Sequence, residues 1–244
     1  MSGTNFEEIQ EQWSSKAEAL TDFVLETLLN RDDAYSVPCK PLSRMHGATM
    51  EQEDALTRAV IHRHFSASDR QDLIGIHPTS SEKTSRWILL ETDRPQGAPQ
   101  ELQQVNEEGV KAYLDHWPES LCKPLLIDSD GRGGFQLWVI LASPMHVANA
   151  SAFGQHLAEY WGPLGLAQKP RVFPEHPSLS PERLPSRCVY LPGLHHTYDF
   201  YSRLWDGEKW LVGCDAVDYI CNSSLLQPND LELTNFNFDR LFVS

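Results

Sequence analysis

The chain has 244 residues, of which 41% are hydrophobic, and its 34 acidic against 20 basic side chains give a formal net charge of -14. That is enough apolar material for a substantial core, in one large domain or a compact two-lobed one, and the acidic balance disfavours a protein that coats duplex nucleic acid with its whole surface. The longest apolar run, 137–142, is too short to span a bilayer. The start of the chain has neither a basic region nor an apolar signal core, and its five cysteines are scattered without a CxxC, so a cytoplasmic protein with reduced thiols is expected.

Taken in order, Thr4-x-x-Glu7 reads as a capping box. Phe6, Ile9, Trp13, Ala17, Leu20, Val24 and Leu28 then recur at helical spacing, which predicts one long amphipathic helix ending near Asn30. Residues 31–50, with Pro38, Pro41 and Gly47, read as an extended connector, and a second helix is expected over 51–64. From Leu73 the pattern changes to short apolar runs at 73–77, 87–92, 124–127, 135–142 and 189–191. Helices are predicted near 101–117, with Leu102, Val105, Val110 and Tyr113 inward, and near 147–161. Six prolines between 163 and 187 leave room only for a brief strand at 171–173. Residues 201–212 read as a hairpin with Asp206-Gly207 in a type I′ turn. The sum is an α+β core over 71–244, packed by a helical N-terminal segment over 1–70.

Two clusters carry chemistry. Strand alternation puts Glu91 and Asp93 on one face, where two carboxylates can share Mg²⁺ or Mn²⁺; a strand running out into solvent with acids at its end gives the same pattern. Gly131, Gly133 and Gly134 permit a loop whose N–H groups turn towards an anion, with Arg132 as a bidentate phosphate donor, although a plain inter-strand loop fits the glycines too. Gln136 is the polar residue of an otherwise apolar strand, so it is satisfied by backbone or faces a ligand. Arg86, Arg94, Arg132, Lys169, Arg171, Arg183, Arg187 and Arg203 concentrate positive charge in this half of an acidic chain. His195-His196 and Arg203 could contact phosphate or a template. Neighbouring side chains on a strand diverge, so the His pair is a poor metal site, and His46, His62, His64, His77, His116 and His156 form no ligand pattern. The G-x-x-x-x-G-K-[ST], G-x-S-x-G and H-E-x-x-H patterns are absent.

Several segments together resemble the archaeo-eukaryotic primase superfamily, the primase-polymerases, and most of all the primase-like domain of the TOTE conflict systems and its bacterial relatives. They are Asn30-Arg31-Asp32-Asp33-Ala34-Tyr35, His64-Phe65, Leu73-Ile74-Gly75-Ile76-His77-Pro78-Thr79-Ser80, Ser85-Arg86-Trp87, the stretch 128–138, Val172-Phe173-Pro174, Leu191-Pro192-Gly193-Leu194-His195-His196-Thr197 and Tyr201-Ser202-Arg203-Leu204-Trp205-Asp206-Gly207. The resemblance implies a two-lobed α+β fold with an RRM-like mixed sheet and a nucleotidyltransferase that uses Mg²⁺ or Mn²⁺. It assigns Glu91 and Asp93 to the catalytic, metal-binding acid pair, and Ser129, Arg132, Gly133, Gln136, His195 and Arg203 to nucleotide binding. It implies a nucleoside triphosphate and primer-template DNA or RNA as partners, and leaves a helicase or nuclease partner open.

The chain departs from the family pattern at chemical positions. Glu91 stands where the family has Asp, Gln136 where it has His, and Arg171 where it has an acid, with Glu175 and His176 in the Lys-Gln places. Gln136 can donate a hydrogen bond but never carry charge. Arg171 would set a permanent cation where a metal ligand is expected, and could pair with both carboxylates. The reading that follows is a primase-polymerase fold that binds nucleotide or primer-template with nucleotidyl transfer weakened or lost. An active polymerase or primase and a structural or protein-interaction module are the alternatives.

Overall fold

The computed structural model describes residues 5–38, 49–52, 54–93, 99–175 and 188–231. Thr4 of the capping box, Cys39, Pro41, His46, Gly47, Arg94, His176, Arg183, Arg187 and the prolines at 177, 181 and 185 lie outside those residues.

The expected long N-terminal helix is broken into α1 (Phe6–Ser15) and α2 (Ala17–Phe23), followed by a π-helical turn at Val24–Leu28. The break falls at Lys16, whose backbone leaves the helical region (φ -105, ψ 5) and whose Nζ meets Asp218 Oδ1 at 2.8 Å. The apolar stripe survives the break, because Trp13, Ala17, Leu20, Val24 and Leu28 are all buried.

The expected connector holds β1 (Tyr35–Pro38) and β2 (Thr49–Gln52), which pair antiparallel. The helix expected over 51–64 is α3 (Arg58–Ser66); it starts later because Thr57 caps it, its side chain accepting from the Val60 N–H. With β3 (Gly75–Ile76) and β8 (Val189–Tyr190) these strands form a sheet of order β2-β1-β3-β8. Pairing of β1 with β3 crosses the boundary expected at residue 70. Gly75 allows that approach, since a Cβ there would stand 2.5 Å from Ser36 Oγ.

The larger sheet contains β4 (Thr84–Thr92), β5 (Leu125–Asp128), β6 (Phe135–His146), β7 (Arg171–Phe173), β9 (Arg203–Trp205) and β10 (Trp210–Leu211), in the order β10-β9-β5-β6-β4-β7. The remaining helices are α4 (Glu101–Asp115), α5 (Val147–Ala158) and α6 (Gly213–Cys221). The fold is thus α+β, and its core unit runs β4-α4-β5-β6-α5-β7, a β-α-β-β-α-β arrangement. Every pairing among these strands is antiparallel, which corrects the expected mixed sheet. The glycine-containing loop turns β5 straight back into β6, and β6 then separates β5 from β4, so the two strands that run the same way never bond. In the last hairpin Asp206 bonds to Lys209 and Gly207 alone opens the turn with φ 110. The two positive φ values of a type I′ turn are therefore not present.

Period-two alternation splits β4 between two apolar clusters. Trp87 and Leu89 pack with Trp138, Phe173, Trp13 and Ile61 on one side, while Ile88 and Leu90 pack with Val110, Tyr113, Phe153 and Leu157 on the other. The N-terminal helices and the small sheet cover the first face, and α4 and α5 cover the second. In α4, Val110 and Tyr113 are buried, whereas Leu102 and Val105 are only half-buried.

Candidate functional site

The first face changes character one step beyond Leu89, Trp138 and Phe173. The next positions of the same alternation are Glu91, Gln136 and Arg171, and strand register aligns them: Glu91 faces Gln136 across β6 and Arg171 across β7. A polar row crosses three strands. Trp138 Nε1 donates to Gln136 Oε1 at 3.1 Å, and Gln136 Nε2 donates to Glu91 Oε1 at 3.1 Å. Arg171 Nη2 donates to Glu91 Oε2 and to Asp93 Oδ2, each at 2.8 Å. The buried amide of Gln136 is thus satisfied by side chains on both sides. Burial pushes the Glu91 carboxyl above its ordinary range, against the pull of the Arg171 guanidinium.

A guanidinium therefore holds both members of the acid pair together, in the space between them. Among the described residues no three His, Cys, Asp or Glu side chains come together as a metal-ligand group. Two carboxylates bridged by an arginine, with no third ligand among the described residues, do not fit a divalent cation: the positive charge that a metal would supply is already covalently attached to the chain.

Glu91, Asp93, Gln136 and Arg171 line a cavity of about 620 Å³, shared with Ser129 and Asp130 of the glycine loop and with the segment 188–196. The loop does not offer it an anion cradle. Gly131 and Gly133 have φ of 66 and 106, as glycine allows, but four N–H groups of the loop meet the chain's own carboxylates. Asp128 Oδ1 accepts from Gly131 N at 2.7 Å and Asp130 N at 3.3 Å, while Asp130 Oδ1 accepts from Arg132 N at 2.7 Å and Gly134 N at 2.8 Å. Gly133 gives its carbonyl to Asn106 Nδ2 at 3.0 Å and does not line the cavity. The expected phosphate loop is an Asx-turned connector in this structure.

Two expected phosphate ligands also lie elsewhere. Arg132 lines a neighbouring cavity of about 520 Å³, with Arg70, Tyr198, Asp199 and Phe200, which shares only Asp130 with the first. Arg203 lines neither; it faces Asp128 across β9 and β5, and its Nε and Nη2 donate to Asp128 Oδ2. Asp128 is fully buried, so this guanidinium is committed to an internal charge.

His195 and His196 line the first cavity. His195 Nδ1 accepts from Thr197 N at 3.0 Å and Tyr198 N at 3.1 Å, which leaves the proton of the neutral ring on Nε2. Burial, then the neighbouring His196, Arg70 and Arg132, push the His195 pKa down to about 3; burial also lowers that of His196. Both are neutral donors or acceptors, not cations for phosphate. The two rings touch, with centroids 4.3 Å apart, although divergence was expected, because they sit outside any regular strand. His195 also stacks on Tyr198 (4.7 Å, 9°) and His196 on Tyr190 (4.7 Å, 14°). Sequence reasoning missed these two tyrosines, although aromatic residues on either side of a histidine pair were a readable signal.

Other segments of the family resemblance hold the site in place. Fully buried His64 accepts from Ile74 N through Nδ1 at 3.0 Å and contacts Pro192 O through Nε2 at 3.3 Å, tying α3 to the Leu-Pro-Gly segment. Asn30 donates to His77 O and accepts from Arg86 N, and Trp87 Nε1 donates to Leu28 O at 2.9 Å. No helix among the described residues is long and apolar enough to cross a membrane.

No family model and no curated protein matches the sequence. Solved structures similar to the chain include the primase-polymerase domain of cyanophage S-2L, at 13% identity and a TM-score of 0.46 over 93% of this chain and 97% of that one. The polymerase domain of Mycobacterium tuberculosis ligase D, solved in complex with DNA, is similar at 12% identity and a TM-score of 0.49 over 90% of this chain and 89% of that one.

Proposed function

We propose that this chain is a primase-polymerase-fold protein that binds nucleotide or primer-template nucleic acid, with nucleotidyl transfer weakened or lost. One observation carries the reading: Arg171 donates to Glu91 and Asp93 at 2.8 Å each, the two carboxylates that metal-dependent transfer would need free. The β-α-β-β-α-β order of the large sheet supports the RRM-like fold implied by the sequence resemblance. The cavity of about 620 Å³, which no side chain among the described residues fills, favours a binding role over a purely structural one.

What the residues can do follows from their charges. Glu91, Asp93 and Asp130 line the cavity with Arg171, and the two histidines are neutral. Among the described residues the balance is negative, so a nucleotide is held through its base and sugar rather than through bare phosphates. His195 Nε2–H, Ser129 and Ser202 supply neutral polar contacts for such a ligand.

The reading is tested by calorimetric titration of nucleotide, with and without Mn²⁺, alongside primer extension by the same preparation. The expected result is nucleotide binding that does not depend on Mn²⁺ and no extension. Robust extension would establish the active-polymerase alternative, which the shared cavity of Glu91, Asp93 and Ser129 favours.

A further inference from the structure

The second cavity is built differently from the first. Arg132 sits over the Tyr198 ring, its guanidinium carbon 3.8 Å from the centroid, and its side chain is exposed. Among the described residues it has no carboxylate partner. Tyr198 is in turn backed by His195, His196 and Tyr190, so the five groups form one column, stacked at Tyr198–His195 and at His196–Tyr190 and tilted by 36° between the two histidines. The column is anchored where His195 Nδ1 accepts two backbone N–H groups. The guanidinium is in contact with Tyr198, and Arg132, Tyr198 and Phe200 all line the cavity.

We propose that this second cavity is a stacking site for an unpaired base of a single-stranded nucleic acid, with the Arg132 guanidinium as its platform. The proposal rests on the nucleic-acid-binding reading given above. The cavity carries Arg70 and Arg132 against Asp130 and Asp199, a balanced set that suits an uncharged base better than a phosphate. Arg70 is already held by Asp199 Oδ1 at 2.5 Å and by His195 O at 3.3 Å, so it braces the wall. Asp130 lines both cavities, which lets neighbouring nucleotides of one strand occupy them. A base needs a planar, preorganised partner, and guanidinium planes and aromatic rings both serve. A guanidinium fixed on a four-ring column loses little freedom on binding.

The test compares a short single-stranded oligonucleotide with its abasic counterpart of equal length, by fluorescence anisotropy, on the parent, Arg132→Lys and Tyr198→Leu. Lysine keeps the charge but has no plane. The parent is expected to prefer the base-bearing strand by about tenfold. Both variants are expected to lose most of that preference while binding the abasic strand as the parent does, with an unchanged salt slope. A parent with no preference, or an Arg132→Lys variant that keeps it, overturns the stacking site. Mononucleotide binding by the same proteins separates the two readings: if it persists while the preference is absent, the stacking site alone fails. If the parent binds neither mononucleotide nor oligonucleotide, both fail.

Discussion

Asp128–Arg203 and Glu91–Arg171 are the same chemical pair in two settings. Each joins register partners on adjacent strands of one sheet. The first is architectural: the Asp128 side chain is 0% exposed, and its second oxygen also holds the N–H groups of Asp130 and Gly131. The second stands at a cavity, with Arg171 42% exposed and shared between Glu91 and Asp93. Position decides the role. A guanidinium beside one sealed carboxylate fixes a loop, whereas one placed between two carboxylates at a cavity wall, on the proposed reading, supplies the charge a metal would.

The largest effect is expected at the sealed pair. Asp128→Ala removes the carboxylate bonded to Arg203 and strips the loop of its acceptor, which should cost about 3–5 kcal/mol in urea unfolding. Arg171→Ala, at a more exposed pair, should change stability by about 1 kcal/mol or less. Equal costs at the two sites would erase the distinction between them.

A smaller effect is expected from the buried neutral histidine that holds the cavity wall. Burial lowers the His64 pKa from 6.5 to about 4. The unfolded imidazole takes up its proton first, so this contribution is complete above pH 6.5 and is lost as pH falls from 6.5 towards 4. The loss amounts to about 3 kcal/mol in all. His64→Gln should show a correspondingly shallower fall in urea midpoint over that window, and an unchanged slope would remove His64 from the account.

The smallest expected effect is in ligand preference. Without divalent ions, a nucleoside should bind the first cavity at least as tightly as its triphosphate, because among the described residues three carboxylates line the wall with one guanidinium. Competition calorimetry with the two ligands checks the order, and tighter triphosphate binding would show that the charge balance has been misjudged.

Much of this was legible in the sequence where the signal is local. Alternation along 87–92 and 135–142 gave the central strands and the shared face of Glu91 and Asp93, and the isolation of Gln136 in an apolar strand marked it as needing polar partners. The departure at Arg171 was visible as a residue type, and the structure supplies its two contacts. Non-local pairing was not legible. Nothing in the spacing of Asp128 and Asp130 tells that their carboxylates capture the loop N–H groups that would otherwise face an anion. Arg203 looks like any basic residue until β9 is set against β5. The β1–β2 pair was hidden because proline-rich extended chain and a short edge strand read alike.

The central claim is that Arg171 occupies the electrostatic place of a divalent cation, and Mn²⁺ binding to the parent and to Arg171→Glu tests it most directly. Electron paramagnetic resonance of free Mn²⁺ during titration reads binding without requiring turnover. Weak binding by the parent, and an affinity gain of about tenfold or more when the guanidinium gives way to a third carboxylate, is the expected result. Tight Mn²⁺ binding by the parent at this site, or no gain in Arg171→Glu, would contradict it.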